Sequence, residues 1–175
     1  SRILGSPDTL VPVDDFALYY LLASEIARMA PGPLGESLIL YLDEHTAMQV
    51  DAVDSTRLET RQIVVFGKPP VPWADAGNVR TIPWLTESLG HNLFIVAVSE
   101  SFSMALVCAN GNGPFRGGWT GDRDHVFRIV AELHRMGGMG EMPTRTIAGQ
   151  HDRTMACAIR LMVLTTRQLT LRQMD

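Results

Sequence analysis

The chain has 175 residues, 46% hydrophobic and 19% charged, which supports one sizeable buried core and argues against a disordered chain. A formal net charge of −4 excludes an overall basic footprint for nucleic acid, and no apolar run reaches the roughly 20 residues that a membrane-spanning helix needs. The two cysteines have no CxxC pairing and no neighbouring Cys/His set, which excludes a disulfide framework and fits a reduced, cytoplasmic setting.

In chain order, the first predicted element is a helix over 14–30, with Tyr19, Leu22, Ile26 and Met29 on one face, Asp14 or Asp15 as N-cap and "PGPLG" as its stop. "SLILYL" (37–42) is a short apolar run and predicts a buried strand, followed by helical or irregular chain through Arg57. "QIVVFG" (62–67) predicts a second strand, ended by "KPPVPW", because proline has no N–H for a ladder. The run from His91 to Gly111 has two apolar stretches broken by "SES", the pattern of two antiparallel central strands. "GNGPFRGGW" predicts a turn and a short edge strand. "GDRDHVFRIVAELHRMGG" predicts a helix with Val126, Ile129, Val130 and Leu133 inward and Gly137 at its end.

A last helix is predicted over 152–173. Met155, Ile159, Met162, Thr166 and Leu169 alternate steps of four and three, the spacing of a coiled-coil seam. This seam pairs either with Tyr19, Leu22, Ile26 and Met29 of the same chain or with a second copy in a homodimer. Arg153, Arg160 and Arg167 recur every seven residues and predict a basic stripe away from the seam: a solvated face, or else a docking surface for an acidic partner or phosphates. The elements lack regular strand–helix alternation. The expected fold is α+β: a mainly antiparallel sheet of about 4–6 strands in a 37–136 core, flanked by terminal helices, in one domain of a longer signalling protein.

The stretch "ALVCANGNGPFRGGWTGDRDHVF", with "RTIPWLTESLGHNLFIVAVSESFSM" before it, resembles the DICT family of sensory domains. The resemblance spans roughly 37–136, and it departs from the family's F-x-G-x-W-T-F-D run at Gly121, where an aromatic is expected. It implies a non-catalytic signal-input domain fused to an effector such as a diguanylate cyclase, histidine kinase, GAF or DNA-binding module, with no direct nucleic-acid contact. It names no cofactor.

A small ligand would be expected against Trp119 and Trp84, with Phe102, Met104 and Phe115 as walls, because aromatics beside turns line pockets for planar molecules as well as capping cores. Trp73 shares that placement. Cys108 could tether a linear tetrapyrrole, but its neighbours are Val107 and Ala109 with no histidine, so a buried thiol is the expectation. Asp43-Glu44-His45 at a strand end is the best acid/base or metal candidate, and the basis of an alternative enzyme reading. Adjacent residues on extended chain point to opposite faces, which favours a plain turn. His125 and His134 are half a turn out of phase and cannot share a metal. Gly111, Gly113, Gly117 and Gly118 lack the Lys-Ser/Thr of a phosphate loop and read as turn residues, and Ser99, Ser101 and Ser103 read as hairpin polarity.

Overall fold

The computed structural model describes residues 10–32, 35–50, 61–73, 77–83, 92–109, 115–140 and 151–174. Its elements are β1 (Val11–Val13), α1 (Phe16–Met29), β2 (Leu38–Asp43), α2 (Glu44–Gln49), β3 (Arg61–Phe66), a 3-10 turn (Val71–Trp73), β4 (Val79–Ile82), β5 (Asn92–Ser99), β6 (Ser103–Ala109), β7 (Arg116–Thr120), α3 (Arg123–Met136) and α4 (His151–Met174).

The fold is α+β around one mixed sheet of order β1-β7-β6-β5-β2-β3-β4. Seven strands exceed the four to six expected, because β1 has only three residues and β4, "VRTI", buries little beyond Ile82; neither leaves an apolar run to read. From β1 to β2 each neighbouring pair is antiparallel, whereas β2, β3 and β4 are mutually parallel. A parallel pair needs a crossover, and α2 starts the one between β2 and β3.

Side chains alternate across the strands. Leu93, Ile95 and Ala97 of β5 and Met104, Leu106 and Cys108 of β6 face one layer with α1, α2 and α4, while Phe94, Val96 and Val98 of β5 and Ala105 and Val107 of β6 face α3. Helices cover both faces, so these strands read as unbroken apolar runs rather than as alternation. The 92–109 hairpin lies at the centre of the sheet, as expected.

β7 is not the edge strand the sequence suggests, since β1 pairs outside it with Val11 opposite Trp119. Nor are Gly117 and Gly118 turn residues. A Cβ at Gly117 would strike Cys108 Sγ and the Val107 carbonyl, and one at Gly118 would lie 2.6 Å from both Leu10 Cβ and the Val11 carbonyl oxygen. The double glycine lets both neighbouring strands approach. Pro12 sits in β1, where an edge strand tolerates a missing N–H.

Helix α1 begins at Asp15, whose carboxylate accepts from Leu18 N at 2.9 Å, and it buries Leu18, Tyr19, Leu22, Ala23, Ile26 and Ala27. Helix α3 is capped by Asp122 and stops at Gly137, with Val126, Ile129, Val130 and Leu133 buried as the periodicity predicts. Behind it, the Tyr41 hydroxyl and His134 Nε2 lie 2.8 Å apart in a buried hydrogen bond.

Candidate functional site

Helix α4 has two apolar stripes, and the sheet layer takes the one the sequence made less conspicuous. Cys157, Leu161 and Leu164 are buried towards the core, in steps of four and three. The predicted seam is offset from them by two residues, about 200° around the helix, and therefore faces outward. Met155 is 55% exposed, Ile159 61%, Met162 47% and Leu169 48%, and Thr166 is exposed with them. The expectation that this seam packs on Tyr19, Leu22, Ile26 and Met29 of the same chain is thus corrected. The Thr166 hydroxyl donates to the Met162 carbonyl at 2.9 Å, so it is satisfied within the helix and does not break the apolar stripe. Met155, Ala158, Ile159, Met162, Val163 and Thr166, with Arg167 at the rim, line a shallow open concavity of about 530 Å³.

Ion pairs flank the stripe that turned inward. Arg153 pairs with Glu36 at 3.3 Å, Arg160 approaches Glu25 at 3.7 Å, and Arg172 reaches Asp14 at 3.2 Å and Asp15 at 2.8 Å. These arginines flank the inner stripe and meet acids on or beside α1, so Arg153 and Arg160 do not belong to a free basic stripe; Arg167 is exposed. One Arg153 amino nitrogen also donates to the Ala30 carbonyl at 2.5 Å and to that of Met29 at 3.4 Å, satisfying acceptors left over at the end of α1. Its guanidinium also lies over the Phe102 ring, 5.4 Å from the ring centre.

The Glu36 carboxylate gathers the turn between β5 and β6. It accepts from Ser99 Oγ at 2.7 Å, from the Ser101 amide at 2.8 Å and from the Ser101 hydroxyl, which also touches Arg153. Burial pushes the Glu36 carboxyl up, and the Ser101 and Ser99 hydroxyls, the Ser101 amide and Arg153 outweigh it, leaving the group below its ordinary value. Ser99 and Ser101 are therefore more than hairpin polarity. Sequence reasoning missed this cluster because Glu36 and Arg153 are 117 positions apart.

The expected ligand residues are strung along β6 and β7, from Phe102 at the β5–β6 turn to Cys108 near the other end of β6. Phe102, Met104, Cys108 and Trp119 are 0–4% exposed in the core layer beneath α1 and α4, and Phe115 packs partly buried against it, its ring centre 4.4 Å from that of Phe16. Trp84 lies outside the described residues. Trp119 Nε1 is buried and has no hydrogen-bond partner among the described residues. Trp73 is a core residue at 5% exposure. Burial pushes the Cys108 thiol far up and that of Cys157 up to about 12, so both are inert thiols rather than attacking thiolates.

Asp43, Glu44 and His45 do not share one site: His45 Nε2 lies 3.9 Å from Glu44 Oε1, while Asp43 turns inward. Asp43 is fully buried, and its carboxylate accepts from Phe94 N at 2.9 Å, His45 N at 3.0 Å and Thr46 N at 3.2 Å, which caps α2 and ties it to β5. Glu44 accepts from Lys68 N at 3.0 Å, and the His45 ring is 64% exposed. Among the described residues no group of His, Cys, Asp and Glu is placed to hold a metal ion, and no helix is long and apolar enough to cross a membrane.

In comparisons with protein-family models, curated proteins and solved structures, nothing matches this chain.

Proposed function

We propose that this chain is a non-catalytic, cytoplasmic signal-input domain that acts through α4, pairing with a second copy along Met155, Ile159, Met162, Thr166 and Leu169 and passing a change in that pairing to a fused effector. The observation that carries this reading is the two-sided helix: one stripe anchored to the domain, the other apolar and uncovered over more than three turns. The outer stripe has the composition of a two-stranded seam. A heptad assignment puts Ile159 and Thr166 at a, and Met155, Met162 and Leu169 at d; β-branched residues at a with unbranched or γ-branched ones at d favour a parallel pair. The flanking positions Ala156, Ala158, Val163, Thr165 and Thr170 carry no charge; Arg172, also flanking, is paired with Asp14 and Asp15 of its own chain.

Sedimentation of the wild type, Ile159→Asp and Met162→Asp tests this. The wild type is expected to be a dimer and both variants folded monomers. A monomeric wild type, or variants with unchanged mass, contradicts the reading.

The orphaned Trp119 N–H favours a second reading, in which the same domain senses a small molecule with a hydrogen-bond acceptor within reach of that indole. Native mass spectrometry with an absorbance scan tests it. A stoichiometric extra mass, lost in Trp119→Phe, supports it, and a bare polypeptide leaves the interaction reading alone. The resemblance to DICT domains is compatible with both.

A further inference from the structure

We propose that Glu36 and Arg153 form a latch coupling the β5–β6 turn to α4, so that displacing that turn, or removing either charge, frees α4 from α1 while the sheet stays paired. The inference rests on reading α4 as the output element, and it adds where a signal enters it.

The latch joins three parts of the fold. Arg153 holds the end of α1 through the Met29 and Ala30 carbonyls and holds Glu36 and the Ser101 hydroxyl with its other amino nitrogen. Glu36 in turn holds Ser99 and Ser101, which bound the turn. The two charged side chains are 27% and 10% exposed, so each depends on the other for solvation that water cannot fully supply. Gly32 lies over the pair, where a Cβ would come within 2.7 Å of the guanidinium and closer still to the carboxylate. The cluster is therefore closed on that side.

Release has somewhere to go. Only Cys157, Leu161 and Leu164 are buried on the described part of α4, against a larger apolar stripe on its outer side. The helix has a coverable face on each side. Arginines flank the docked one, and the first of them is the one wired to the turn.

Hydrogen exchange followed by mass spectrometry on the whole chain tests the latch, comparing wild type with Glu36→Gln and Arg153→Met at two protein concentrations. Both variants are expected to speed exchange in α4 about 10- to 100-fold while β5 and β6 keep their protection. Glu36→Gln preserves shape, so it covers the case in which Arg153→Met does not fold. Unchanged protection of α4, or equal losses in α4 and the strands, overturns the proposal. The comparison at low concentration reads α4 docking in the monomer, so a failure of dimerisation is seen separately from a failure of the latch.

Discussion

Truncating the two stripes of α4 should have sharply unequal effects. Leu161 is fully buried, and Leu161→Ala removes its contacts with the core layer and leaves a cavity, a cost of about 2–5 kcal/mol. Ile159 is 61% exposed, and Ile159→Ala in the monomer costs about 0.5 kcal/mol or less. For a chain of this size each kcal/mol corresponds to roughly 2–4 °C, so Leu161→Ala lowers Tm by about 4–20 °C and Ile159→Ala by at most about 2 °C. Far-UV circular dichroism melts on dilute samples measure both. Raising the concentration should leave the Leu161→Ala deficit largely unchanged and enlarge that of Ile159→Ala, because only the outer stripe contributes through association. The cost at the inner stripe saturates at the free energy that docks α4, so adding Leu164→Ala should give less than the sum. Equal losses for Leu161→Ala and Ile159→Ala in the dilute monomer would refute the assignment of faces.

Acid should weaken the α3 side of the fold. Burial, with Arg80, lowers His134 below its ordinary 6.5 against the opposing pull of the Gly140 backbone, and burial with Arg128 lowers His125 against Asp122. A depressed folded value means stability is complete above 6.5 and is lost as pH falls through it towards the folded values. Urea titrations between about pH 8 and pH 5 should show this loss, and His134→Gln should reduce it; an unchanged slope would count against the buried Tyr41–His134 pair as its source. Gly117→Ala should destabilise by about 1–3 kcal/mol through overpacking on Cys108 and the Val107 carbonyl. Cys108→Ala should recover part of that loss in a denaturation cycle, and strictly additive effects would contradict the contact.

What the sequence disclosed depended on whether a local period had one physical meaning. The 92–109 hairpin and α3 were legible because a polar break between apolar runs, and a single apolar face ending at Gly137, each allow one arrangement. On α4 the stripes through Leu161 and Ile159 share the same four-three spacing, so periodicity alone could not say which one the domain would cover. The partners of the docked face, among them the acids Asp14, Asp15, Glu25 and Glu36, are distant in sequence, and long-range pairing leaves no local trace. The parallel register of β2, β3 and β4 was hidden for a related reason: buried strands are apolar whichever way their neighbours run. Asp43 was conspicuous because it ends a strand beside a histidine, yet its three backbone partners make it a cap. Its neighbours in sequence gave no sign of Phe94, which supplies one of those partners.

The contact between the first and last helices also sets a timetable for synthesis. Arg153 is added 124 positions after Met29, whose carbonyl it will hold. At about 5–20 residues per second, a ribosome needs on the order of 6–25 s to cover that interval. Throughout it, the flank of α1 that α4 will cover is open to chaperones and to neighbouring nascent chains. Slow elongation would lengthen this exposure, and emergence of α4 ends it.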